Sequence, residues 1–288
     1  MILAIALAVV LGATAAYLSY RVLTQHNSTE TVTPQSYLLS NYFSLPFIDQ
    51  RGGEHEGWLM MGLKGAPAII LCHGYDSNRS DLLSLGTILR DNHFNVYVFN
   101  FSGPKAKERF SSLGPRQASD VLAAIDTVTK QQGVNPNRVG LYGITLGGYA
   151  ALVAAQRSPK VKALVADTVY TSPGQLFDYQ IDQMLGGSSP IFRLITRAEF
   201  RLFTFRNPPV PVEGNLSKLE GMPKLFISGH DIPPLAQVTE NLYSQAPQPK
   251  RLLVMEHSQG SMTSGVEKKE YENQVLNFFL QNLSLRAD

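Results

Sequence analysis

The sequence predicts an α/β fold, a mostly parallel sheet with helices on both faces, and three observations predict it. Six short apolar runs, rich in β-branched or aromatic residues, alternate with longer segments of helical periodicity. A glycine-framed turn, Gly143-Ile144-Thr145-Leu146-Gly147, joins one of these runs to an alanine-rich helical pattern. A chain of 288 residues with 44% hydrophobic side chains can bury one sizeable core, so one catalytic-size domain is expected rather than a disordered chain.

Residues 1–20, MILAIALAVVLGATAAYLSY, carry no charged side chain and are as long as a helix needs to be to cross a bilayer core. They are expected to form an uncleaved, single-pass membrane anchor. The competing reading is a signal peptide with secretion after cleavage: Ala13-Thr14-Ala15 has the small-residue spacing of a cleavage site, but no Lys or Arg precedes the apolar run. Arg21 is the only nearby cation, which leaves the side of the membrane open. Residues 21–36 are expected to be a linker, with Ser, Thr, Gln, Asn and Pro34 concentrated in 24–36.

The domain itself is expected over 37–288. Residues 37–48 and 56–61, separated by the turn signal Gln50-Arg51-Gly52-Gly53, predict an antiparallel hairpin at the sheet edge. The six runs follow at 66–72, 95–100, 138–142, 161–167, 224–228 and 251–255, short and continuous as in strands covered on both faces. Helices are expected at 79–91, 115–132, 146–156 and 235–244, with a last one at 267–281. Such alternation requires parallel strands with crossovers.

Extra length at 168–222 predicts a small helical lid insertion. Within it, residues 190–206 (PIFRLITRAEFRLFTFR) put Arg193, Arg197 and Arg201 four apart, with Phe192, Ile195, Leu202 and Phe203 on other faces. This basic amphipathic helix reads either as a cap packed on the sheet with its arginines in water or as a helix lying at a lipid headgroup layer.

Composition excludes several function classes. A net charge of +2 with no concentrated basic stripe gives no footprint for nucleic acid. The single cysteine, Cys72, forbids an internal disulfide and lies in an apolar run as a small buried side chain. Neither metal nor cofactor is expected: no two histidines have ligand spacing on a helix, and His230 beside Asp231 is too little for zinc.

Three segments carry chemistry, and they come in a telling order: His73-Gly74-Tyr75 after an early strand, the Gly143 to Gly147 elbow, and Ser228-Gly229-His230-Asp231 after a late strand. From about Tyr37 onward the chain resembles the α/β-hydrolase superfamily, specifically its serine-aminopeptidase-like branch of membrane-anchored members. The resemblance implies hydrolysis of ester, thioester or amide bonds in a small-molecule or lipid-like acyl substrate. Thr145 then stands at the nucleophile position, where the G-x-S-x-G pattern has serine. The amides of Leu146 and Tyr75 would face the oxyanion, and Asp231 would orient the base, with Asp167 as a fallback acid.

The chain departs from that pattern at three places. Relatives carry the base several residues past the last strand, in a loop of the Gly-x-Gly-His kind, and counting from Lys250 puts Gly260 there. His257, three residues earlier, is the candidate base, and His230 is a second. Asn100-Phe101-Ser102-Gly103 stands where relatives often have an Asp and an Arg, followed by Lys105, Lys107, Glu108 and Arg109 as a solvated face. Threonine at the elbow is the third departure, since a β-branched residue at positive φ is strained. Its bland alternative is a helix-start residue whose hydroxyl bonds local backbone, with Gly143, Gly147 and Gly148 serving close packing. Two functions therefore stand: a hydrolase using Thr145, His257 and Asp231 with the Tyr75 and Leu146 amides, or a non-catalytic, membrane-tethered protein that uses the pocket or lid for binding.

Overall fold

Apolar residues without an internal proline carry α1 (Ile2–Leu23) three residues past position 20, and Arg21 in its last turn suits the negative end of the helix dipole. Its second half is covered by protein, with Ala15, Leu18, Val22 and Leu23 buried. This is a computed structural model; it describes residues 1–24, 29–30, 32–37, 39, 41–101, 110–187, 189–205, 208–259, 265–283 and 285. Gly260, Ser102, Gly103, Lys105, Lys107, Glu108, Arg109 and Arg206 lie outside the described residues.

The expected edge hairpin resolves into two pairs. Strand β1 (Tyr42–Ser44) is followed by β2 (Phe47–Ile48), β3 (Glu54–His55) and β4 (Gly57–Met60). Pro46 lacks an N–H and interrupts the ladder, so β1 pairs with β4 while β2 pairs with β3 apart from the main sheet.

The remaining strands and helices follow the expected order. They are β5 (Ala66–Cys72), α2 (Leu83–Asp91), β6 (Asn95–Phe99), α3 (Pro115–Val128), β7 (Val134–Ile144), α4 (Leu146–Ala155) and β8 (Val161–Asp167). The insertion contributes α5 (Pro173–Leu185) and α6 (Pro190–Thr204), and β9 (Lys224–Gly229), α7 (Pro233–Gln245), β10 (Lys250–Met255) and α8 (Val266–Asn282) complete the chain. One boundary moves for a capping reason: Asn78 accepts the Ser80 amide at 2.7 Å and starts a 3-10 turn, so α2 begins at Leu83 rather than at 79.

The eight-stranded sheet has the order β1-β4-β6-β5-β7-β8-β9-β10, parallel from β6 to β10. Alternation along β5 divides the core: Ala68, Ile70 and Cys72 face the layer of α3 and α4, while Ile69 and Leu71 face that of α2 and α8. From β5 the chain crosses to β6 on one side and then to β7 on the other. The crevice at the carboxyl ends of β5 and β7 is thus a topological switch point, where open α/β sheets hold ligands.

Candidate active site at the Thr145 elbow

Thr145 sits in that crevice, between β7 and α4, at φ 46° and ψ −100°. Its amide donates to the Asp167 carbonyl at 2.9 Å, and its carbonyl accepts the Tyr149 amide at 3.0 Å. The turn is possible only because its flanks lack side chains. A Cβ on Gly143 would overlap the Gly147 carbonyl, and one on Gly147 would overlap the carbonyls of Cys72 and His73. That second approach brings the start of α4 against the end of β5.

Thr145 stands at the start of α4 and the glycines serve close packing, as the helix-start alternative expects, but its hydroxyl makes no hydrogen bond among the described residues and does not cap α4, which corrects that one part of it. Instead the residue holds a backbone conformation that costs a β-branched side chain about 1–3 kcal/mol. Among the described residues, the Leu146 and Tyr75 amides have no backbone acceptor either. The Tyr75 hydroxyl donates to the Val22 carbonyl at 2.9 Å, which ties this loop to the end of α1. Beneath it, His73 is buried and its pKa falls to about 4 because burial disfavours the charged ring. Its Nε2 accepts the Phe101 amide at 3.2 Å, so this histidine is a neutral structural group.

The acid and base positions have the following partners among the described residues. Asp231 accepts the Ser258 amide at 2.7 Å and the Ser258 hydroxyl at 3.1 Å. His257 has its Nδ1 2.9 Å from Glu267 Oε2, and its own amide donates to Glu267 Oε1 at 3.1 Å. The ring is half exposed, and Glu267 raises its pKa above the ordinary histidine value. No hydrogen bond joins Thr145, His257 and Asp231 among the described residues. His230 faces Glu240, with Nε2 3.3 Å from its carboxylate.

Asp167 is fully buried and occupied. It accepts the Thr168 hydroxyl at 2.7 Å, the Tyr271 hydroxyl at 2.7 Å and the Gln259 amide at 3.2 Å. All three donors favour the carboxylate, yet burial outweighs them and lifts the pKa to about 6. The Tyr142 hydroxyl, 2.7 Å from that of Tyr271, extends this network under the elbow strand.

Residues 91–173 match the prolyl oligopeptidase family, a span that covers α3 and the elbow. The Escherichia coli K12 protein YfhR, described as uncharacterized, is 28% identical over 254 residues, covering 84% of this chain and 81% of its own. Among solved structures, the Pyrococcus furiosus esterase Pf2001 superposes with a TM-score of 0.70 at 16% identity, over 90% of this chain and 99% of that one. A dienelactone hydrolase from Anabaena variabilis gives 0.61 at 18% identity, over 84% and 98%. The chain has the α/β-hydrolase fold.

Two arginines of the insertion between β8 and β9 are committed to ion pairs. Arg193 pairs with Asp182, and Arg197 pairs with Asp178, both on α5. Both side chains stay in water as the cap reading expects, 39% and 59% exposed, while they bind α6 to α5. A cavity of about 410 Å³ opens between the two helices, lined by Ser172, Asp178, Arg197, Phe200 and Thr204 among others.

The hydrolase fold also assembles one group that sequence spacing did not point to. Asp49, His55 and Asp120 bring their ligand atoms within 4.8 Å of one another, a set able to hold a metal ion. Arg51 lies 3.7 Å from both carboxylates and already supplies positive charge there. Asp120 is buried and its pKa rises to about 7, chiefly through lost hydration. Ser258, Glu267 and Tyr271 were missed for the same reason as this cluster: each meets its partner through tertiary contact, with no motif between them.

Proposed function

We propose that the chain is a membrane-tethered protein of hydrolase fold that binds an acyl compound at the Thr145 elbow and does not hydrolyse it in this arrangement. The observation that carries the reading is the partner of His257. With its Nδ1 on Glu267 and the Asp231 carboxylate accepting from Ser258, no imidazole among the described residues is hydrogen-bonded to Thr145 to take its proton. A positioned general base is worth about 10²–10⁴ in rate, and its loss leaves only binding and the oxyanion donors. The Thr145 methyl adds crowding where an acyl carbon would approach.

A second reading has one observation in its favour. Thr145 keeps the strained elbow conformation at φ 46°, and strain of this kind persists where a site uses it. In that reading Thr145 attacks, His257 takes and returns the proton after leaving Glu267, Asp231 orients the ring, and the Leu146 and Tyr75 amides steady the oxyanion. The substrate would be a small or lipid-like ester, thioester or amide.

One experiment separates them. The full chain in detergent is given p-nitrophenyl butyrate and the corresponding thioester, beside Thr145→Ala and Thr145→Ser. Thermal stabilisation by the ester, with no product release by the unaltered chain or by either variant, supports the binding reading; turnover gained in Thr145→Ser would show that a base does reach position 145 and overturn it. Turnover by the unaltered chain that Thr145→Ala abolishes overturns it in favour of hydrolysis.

A further inference from the structure

We infer that the lid helix α6 is itself seated in the lipid bilayer beside α1, so that the membrane is the surface its outward apolar row binds. The inference rests on the anchor reading of α1 and is independent of whether the elbow turns substrate over.

Length makes the argument. At 1.5 Å per residue the 22-residue α1 is about 33 Å long, against a hydrocarbon core of about 30 Å. Nearly all of the helix is therefore needed to cross. Yet Ala15, Leu18, Val22 and Leu23 are buried against the protein, where Ser19 donates to Glu199 of α6 at 2.7 Å. Only residues 2–14 project freely, about 20 Å of helix, which is too short by about 10 Å. A bilayer that takes the whole of α1 must also take what is packed on its second half, and that is α6 first, with α5 beside it.

The surface of α6 suits this. Ile191, Leu194, Ala198 and Leu202, spaced three, four and four, form one row along the helix. Their large members are 62%, 75% and 73% exposed at Ile191, Leu194 and Leu202. The charges that would oppose burial are offset: Arg193 and Arg197 are paired with aspartates of α5 although Arg197 stays 59% exposed, and Glu199 accepts from Ser19 of α1. Arg201, at the edge of the row, has a stem long enough to carry its charge to the headgroups. Interfacial helices sink about 5–10 Å, which matches the missing length. Because Tyr75 is bonded to Val22, the elbow crevice then opens close to the lipid surface.

Fluorophore depth tests the inference in the full chain. Cys72 is wholly buried, so an introduced cysteine can be labelled selectively. Leu194→Cys, Leu7→Cys and Gln132→Cys are each labelled with an environment-sensitive dye and reconstituted in phosphatidylcholine vesicles containing a nitroxide on the acyl chain. Quenching of the Leu7 and Leu194 labels by severalfold, with none at Gln132 before β7, is the expected result. Quenching at Leu7 alone leaves α1 as an anchor and overturns the seating of α6. Quenching at neither site overturns both the anchor and the inference. A Leu194 label in apolar surroundings that the lipid nitroxide does not quench puts a second copy of the chain on the row and also overturns it. Circular dichroism melts of each variant establish that it is folded.

Discussion

Glu267 holds His257 at two points, accepting from the histidine's own amide at 3.1 Å and lying 2.9 Å from its ring Nδ1. The second residue after β10 is thereby locked to the first turn of α8, and the ring is committed before any substrate arrives. The pair raises the histidine pKa. A raised folded-state value means that the stabilisation is fully present below the ordinary pKa of about 6.5 and is lost as pH rises through the folded one. Replacing Glu267→Gln should lower the His257 titration midpoint, read from its ring proton shifts by NMR. An unchanged midpoint would mean that the ring is held by something else.

Thr145 stores backbone strain that glycine would not. Thr145→Gly should raise the unfolding free energy by about 1 kcal/mol, the relief of a 1–3 kcal/mol conformation less the extra entropy of an unfolded glycine. Thr145→Ala keeps a Cβ at φ 46° and should show no such gain. Denaturant midpoints for the two variants decide the matter, and equal midpoints would refute it.

Tyr271 supports the buried Asp167. Tyr271→Phe removes one of three donors to that carboxylate and strands the Tyr142 hydroxyl, so a loss of about 1–3 kcal/mol is expected in chemical denaturation.

Asp167 also leaves a signature in pH. Its folded pKa of about 6 lies above the unfolded value of about 3.9, so its contribution is present below pH 4 and lost as pH rises through 6. Asp167→Asn has no such proton to release, and its stability relative to the unaltered chain should climb between pH 4 and 7. Parallel curves over that window would contradict the assignment.

Much of the fold was legible because its causes are local. The run at 66–72 reads as a doubly covered strand, and β5 occupies those residues with both of its faces in core. Gly143 and Gly147 announced a tight elbow because only residues without a Cβ tolerate backbone that close. The row of apolar residues at the N-terminus announced a helix of membrane-crossing length, and α1 is one. The edge hairpin was less well read, since one proline divided it into two pairs.

Side-chain partnership at the site was not legible in that way. Asp231, His257 and Thr145 occupy positions that sequence order alone could nominate as a relay. Their actual partners, Ser258 for Asp231 and Glu267 for His257, are separated from them by 27 and 10 residues, and Tyr271 from Asp167 by 104. The sequence by itself determined the layers, the elbow and a helix fit for a bilayer, because periodicity and the absence of a Cβ act within a few residues. Only the tertiary structure decided where the carboxylates and the imidazole point and that the end of α1 lies on α5 and α6, because those outcomes depend on which distant groups compete for the same hydrogen bond or the same apolar surface.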